Sequence, residues 1–154
     1  WRTVRVRLTE SLRLMGRTIS MKYGLLNQSL AKEVLPLAIK HGVGIMNMAA
    51  VRVKLPDPDL LQQLMQEWRD KGYVERGDLP DSDPLGWLVH DDVTSVVSAG
   101  YKFAADHPAI GTVITGTSNM AHLEENAAAL EKPHLPPDDT QRVKELFGNI
   151  VEYV

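Results

Sequence analysis

TVITGTSNMAHLEENAAALEK, residues 112–132, decides how the rest of the chain is read. An apolar run through Val113 and Ile114 halts at Gly116, small polar residues follow, and a helical pattern begins after Asn119. A strand, a tight loop and a helix N-terminus in that order offer backbone N–H groups and a dipole to an anionic phosphate. Gly116, Thr117, Ser118 and Asn119 are therefore candidate contacts to a small phosphate-containing ligand.

Outward from this loop, apolar runs alternate with helical stretches. TISMKYGLL (18–26) reads as a strand, and Asn27 or Ser29 can cap a helix through LAKEVLPLAIKHG (30–42), which Gly42 ends. Pro36 inside that helix predicts a cost of about 3 kcal/mol unless it sits near a kink. VGIMNMAAV (43–51) reads as a buried strand, apolar except for Asn47. PDLLQQLMQEWRDKG (58–72) is amphipathic, with Leu60, Leu61, Leu64, Met65 and Trp68 on one side. The Asp-, Pro- and Gly-rich stretch 73–92 is a long loop, with Trp87 as its anchor. Asp91 or Asp92 can cap the helix that Pro108 closes. IGTVITG (110–116) is a third strand, residues 120–132 a helix, and Asp138 and Asp139 open a last one. A short fourth strand at His134–Leu135 is the remaining candidate. Strands alternating with helices predict an α/β fold with parallel βαβ units.

At 154 residues the chain is expected to form one domain. Hydrophobic residues at 44% and charged residues at 24% are ordinary for a globular protein. No apolar run is long enough for a membrane span and no signal peptide is visible, so no membrane partner is expected. The formal net charge of −3 argues against a nucleic-acid partner. With no cysteine there is no disulfide framework, thiolate ligand or cysteine nucleophile, and a cytoplasmic setting is expected. Residues 1–17 stand apart as a basic arm, with Arg2, Arg5, Arg7, Arg13 and Arg17 against Glu10. There Val4, Val6 and Leu8 alternate like an edge strand, while Leu8, Leu12 and Met15 suit a helical face. The arm is read as solvated, or as an oligomer contact or anion-binding arm. Residues 18–154 form the domain proper.

Three stretches carry a resemblance: KYGLLNQSLAKEVLPLAIKHGVGIMN (22–47), PLGWL (84–88) and YKFAADHPAIGTVITGTSNMAHLEENAAAL (101–130). Over residues 18–150 the chain resembles the C-terminal half of an aldo-keto reductase, nearest the sugar- and aldose-dehydrogenase-like branch. That family folds as a (β/α)8 barrel and moves a hydride between NADP(H) and a carbonyl or alcohol. The resemblance implies half a barrel, about four βα units, since a whole one takes about 250 residues. It implies that Gly116, Thr117, Ser118 and Asn119 hold the adenosine 2′-phosphate, and that Glu125 and Asn126 hydrogen-bond the adenine. His122 falls where the family usually has Arg, and lacks the bidentate fork. Met48-Ala49-Ala50-Val51 replaces the aromatic residue and Ser-Pro-Leu that meet the nicotinamide, and Ile19 or Ser20 replaces the carboxamide-binding Asn/Gln. The family's catalytic Asp, Tyr, Lys and His lie on early strands that nothing before Thr18 resembles. Tyr23, Tyr73, Tyr101 and Tyr153 match no family catalytic position and are read as core or surface residues. Reduction by this chain alone is not expected, because hydride transfer needs a positioned nicotinamide and a proton donor.

A half-barrel exposes two sheet edges and an inner face expected to be apolar, so a homodimer that completes or rearranges the barrel is expected. Such a chain can take on new chemistry. Its histidines and acids suggest where: His90-Asp91-Asp92 at a loop–helix junction, and His122 with Glu125 on one helical face, near Asn126. Imidazole and carboxylate without thiolate suit Zn²⁺ or Mn²⁺ in a hydrolytic site. Beside the phosphate loop, that predicts a metal-dependent, phosphodiesterase-like hydrolase of phosphate esters. The plainer readings make Asp91 and Asp92 helix caps, His122 a surface residue, Asp106-His107-Pro108 a helix stop and His41 a favourable helix end. The alternatives are an NADP(H)- or adenine-nucleotide-binding module without chemistry, and an incomplete aldo-keto reductase that needs an N-terminal partner half.

Overall fold

The computed structural model describes residues 18–151. The expectations for the basic arm and for Tyr153 lie outside them. Element order follows the expected alternation: β1 (Thr18–Met21), α1 (Val34–His41), β2 (Gly44–Asn47), α2 (Pro58–Asp70), a 3₁₀ turn (Gly86–Leu88), α3 (Val96–Ala105), β3 (Ile110–Val113), α4 (Met120–Glu131) and α5 (Pro137–Phe147). The strands form one parallel sheet in the order β1-β2-β3. No strand forms at His134–Leu135, where Leu135 is buried in the core instead.

Pairing register sorts the strand residues into rows. Ile19, Ile45 and Ile110 lie side by side, as do Met21, Asn47 and Val113. These rows face the helices: Ile45 is buried, and Ile19, Met21, Ile110 and Val113 pack against the core. Because successive side chains alternate across a strand, the opposite face carries Thr18, Ser20, Met46 and Thr112. The apolar inner face expected from the sequence is thus replaced by hydroxyl-bearing side chains around a single methionine. Gly111 is the extra residue where the β2–β3 register slips.

The helices build the core on the other side. α2 starts at Pro58 with Asp57 as its cap, accepting from the Asp59 and Leu60 N–H groups. It buries Leu61, Leu64, Met65 and Trp68, whereas Leu60 is only half-buried. Trp68 meets Phe147 of α5 with ring centroids 5.6 Å apart. Buried Gln28 ties the loop after β1 to α5, donating to the Leu25 and Val143 carbonyls at 3.1 and 3.2 Å. Trp87 anchors the long loop as expected, donating to the Pro84 carbonyl at 3.0 Å with the Arg142 guanidinium over its ring.

Two capping expectations are corrected. α1 begins at Val34 rather than after Asn27 or Ser29, and Glu33 precedes it with no side-chain cap. Pro36 therefore lies in the first turn, where its missing N–H has no intrahelical carbonyl to serve, and the expected penalty disappears. Gly42 ends the helix at φ 64°, as predicted. Neither Asp91 nor Asp92 caps α3: Ser95 does, its hydroxyl accepting from the Ser98 N–H at 3.0 Å. Asp91 sits at φ 51°, a left-handed turn conformation that no N-cap uses.

Candidate functional site

In parallel α/β sheets, ligands gather at the carboxyl ends of the strands, where the connecting loops meet. Here the loops after Met21, Asn47 and Val113 share that edge. The first two are locked by one side chain. Asn47, fully buried, accepts from the Tyr23 N–H at 3.1 Å and the Ala49 N–H at 3.2 Å, and donates to the Tyr23 carbonyl at 2.6 Å. Gly24 lies against the Ala50 carbonyl so closely that a Cβ would overlap it. A small groove above this contact is lined by Gly24, Asn27, Ala49, Arg52 and Lys54, among others.

The third loop leaves β3 with the Ile114 N–H donating to the Asn47 carbonyl at 2.8 Å. Thr115 turns inward: its hydroxyl lies 2.9 Å from the Tyr101 hydroxyl and accepts from Asn126 Nδ2 at 2.8 Å. Gly116 to Met120 are exposed. The Thr117 hydroxyl accepts from the Asn119 N–H, and Asn119 caps α4 by accepting from the Ala121 N–H at 2.9 Å. The Met120 and His122 N–H groups have no partner among the described residues and can receive an anionic or hydroxyl oxygen. On α4, His122 is exposed, Glu125 half-buried and Asn126 buried. Glu125 Oε1 accepts from the Ser95 hydroxyl at 2.6 Å and the Thr94 hydroxyl at 3.1 Å. One carboxylate thus joins the residue that caps α3 to the helix opened by the loop.

Met48, in the stretch that the resemblance sets against a nicotinamide ring, is a thioether 51% exposed just beyond β2. Of Ile19 and Ser20, only Ser20 lies on the open face, because Ile19 packs into the core. Tyr23 and Tyr101 are core residues, as expected. Tyr23 stacks on Phe103 at 5.6 Å, and burial, with the Asp106 carboxylate adding, raises its phenol far above the ordinary value.

The histidine–carboxylate candidates disperse. His90 Nδ1 lies 2.9 Å from Asp91 and Nε2 lies 2.7 Å from Asp139 of α5. With its two nitrogens taking carboxylates on opposite sides, it acts as a bridge between loop and helix. Asp92 pairs with Lys102 at 3.1 Å, which holds its carboxyl below the ordinary carboxylate range. Lys102 is itself 1% exposed and also donates to the Lys132 carbonyl at the end of α4, at 2.5 Å. No hydrogen bond or ion pair among the described residues joins His122 to the His90 group, whose partners are Asp91 and Asp139, and Glu125 is taken by Ser95 and Thr94. Among the described residues no three His, Asp or Glu side chains gather as a metal site. Thr115 and Ser95 carry no signal in the sequence, and Asn47 and Asp139 stand out there for other reasons, because the roles of all four depend on partners distant in the chain.

The His90 bridge predicts a pH effect. Its hydrogen bonds to Asp91 first, and Asp139 second, raise the imidazole above its ordinary value. A raised histidine stabilises the fold below its unfolded value of about 6.5, and that stabilisation is lost as pH rises through the folded value. His107 runs the other way: burial lowers it, so its destabilising effect grows as pH falls below about 6.5. We expect His90→Gln to lower the melting temperature at pH 5.5 and to leave it close to wild type at pH 9. A deficit of equal size at both pH values would show that the bridge does not depend on charge.

The family model described as the aldo/keto reductase family matches residues 10–147. No curated protein matches the chain in sequence. Among solved structures, the chain is similar to the aldo-keto reductase AKR11C1 from Bacillus halodurans in its holo form, with 19% identity and a TM-score of 0.63 over 95% of this chain and 48% of that one. The apo form gives 20% identity and a TM-score of 0.60, over 95% and 49% respectively. The chain thus spans about half the length of these structures and shares the fold of that part. Among the described residues no helix is long and apolar enough to cross a membrane.

Proposed function

The chain belongs to the aldo/keto reductase family, and from that premise we propose that it supplies the C-terminal part of a nicotinamide-nucleotide-dependent carbonyl reductase barrel. Within it, the Gly116–Asn119 loop, Glu125 and Asn126 hold the adenosine end of the cofactor. The observation that carries this reading is the third loop: exposed N–H groups at the mouth of α4, at the strands' carboxyl edge, with Glu125 and Asn126 fixed on the same helix by Ser95, Thr94 and Thr115. The adenosine end fits these residues. At the nicotinamide end, Met48 just beyond β2 and Ser20 on β1 stand where the family has an aromatic ring and an amide, and the outer edges of β1 and β3 pair with no strand among the described residues. The cofactor supplies the hydride; this part of the barrel binds and orients the end remote from it.

Adenosine-end binding is tested by titrating the protein with ADP-ribose and following heat release. Glu125→Ala should weaken binding by about tenfold, the value of one lost charge-assisted hydrogen bond. Unchanged affinity in that variant would remove Glu125 from the site. Carbonyl reduction should appear when the remaining strands of an aldo-keto reductase barrel are provided with this chain. If two copies close the sheet instead, light scattering will report a homodimer that gains nothing from added strands. Metal-dependent phosphoester hydrolysis gains no support from the placement of His90, Asp91, Asp92, His122 and Glu125. Full retention of any such turnover in EDTA would dismiss it.

A further inference from the structure

Resting on the adenosine-site reading, we infer that this site takes a nucleotide with a free ribose 2′-hydroxyl, and so favours NAD(H) over NADP(H). The first reason is charge. From Phe103 to Glu131 the chain holds no lysine or arginine, so β3, the loop and α4 bring no permanent cation to the ligand. Lys102 and Lys132 flank this stretch. Lys102 is buried and committed to Asp92 and to the Lys132 carbonyl, which leaves it no reach towards the loop. Arg52 and Lys54, on the neighbouring loop, line the groove against the Gly24–Asn27 turn.

A 2′-phosphate is close to doubly charged at neutral pH and is ordinarily held by the planar fork of an arginine. Here the exposed side chain one turn into α4 is His122, which can give at most two single, divergent N–H donors. The second reason is the acids. Glu124 and Glu125 lie two and three positions after His122, and Glu125 is pinned by two hydroxyl donors, so it cannot swing away from an incoming anion. A fixed carboxylate opposes a phosphate but accepts well from a ribose hydroxyl. The third reason is the character of the loop. Thr117, Ser118 and the Met120 and His122 N–H groups offer neutral hydrogen bonds, enough for a hydroxyl but weak compensation for stripping water from a dianion.

The test is a pair of titrations on the purified protein, one with ADP-ribose and one with 2′-phospho-ADP-ribose. Neither probe carries a nicotinamide, so the comparison isolates the adenosine end. We expect ADP-ribose to bind about tenfold or more tightly, and His122→Arg to close or reverse that gap by restoring the fork. His122 is exposed, so the variant is expected to fold as wild type does, which its melting curve will verify. Equal affinities, or tighter binding of the 2′-phosphate form by wild type, would overturn the preference while leaving the adenosine site standing. Binding of neither probe would overturn the adenosine-site reading, and the preference with it.

Discussion

Asn47→Ala should lower stability by about 3 kcal/mol or more, because it strips partners from buried backbone groups at about 1–3 kcal/mol each. Asn47 stands in a row otherwise made of Met21 and Val113, facing the helices. Its amide serves the Tyr23 N–H and carbonyl and the Ala49 N–H. Removing it orphans these groups beneath Tyr23, which is 1% exposed, and unclips the loop after β1 from β2. In a chain of this size the loss corresponds to roughly 6–12 °C in melting temperature. Asn47→Asp separates hydrogen bonding from packing. It keeps the acceptor for Tyr23 and Ala49 but turns a carboxylate oxygen towards the Tyr23 carbonyl, so it should fall well below wild type and recover partly at acid pH. A fully stable alanine variant in urea unfolding would show that water or a rearranged loop replaces the clip.

Trp68→Ala is expected to cost about 3–5 kcal/mol, the range for emptying a large aromatic site in a core. Trp68 is fully buried on α2, packs with Leu64 and Met65 in the core and meets Phe147 of α5. With the Gln28 amide, it is one of the contacts that hold the last helix to the first half of the fold. Trp68→Phe should lose distinctly less, since much of the ring volume stays. A second consequence follows from position: α5 also carries Val143, whose carbonyl takes the Gln28 amide. Hydrogen exchange in α5 should accelerate in Trp68→Ala before exchange in the sheet does. Equal protection throughout would show that α5 is held by other contacts.

Both expectations rest on residues whose type was plain in the sequence and whose importance was not. Trp68 lay on a helical stripe, so its burial was legible from period alone. Asn47 appeared only as the one polar residue in an apolar strand, a signal without a partner attached to it. The site divides in the same way. Gly116 to Asn119 could be recognised as a strand-to-helix loop because the pattern is contiguous. Glu125 and Asn126 came from the family resemblance, but that Ser95, Thr94 and Thr115 hold them could not be read, since Ser95 lies 30 residues from Glu125.

The alternating order of strands and helices, the parallel α/β class, the stripe of α2, the Gly42 stop and the membership that the family match bears out all follow from residue order alone. Each depends on periodicity or on contiguous residues, which local chain geometry enforces wherever the segment lies. The packed fold, by contrast, makes Ser95 the cap of α3, drops Pro36 harmlessly into a first turn and sets Thr18, Ser20 and Thr112 on the open face of the sheet. It also decided that His90 reaches across 49 positions to Asp139 rather than joining His122. Those outcomes turn on which donor meets which acceptor once the helices have packed against the sheet. A hydrogen bond or ion pair is set by distance in space, and the order of residues along the chain does not encode that distance.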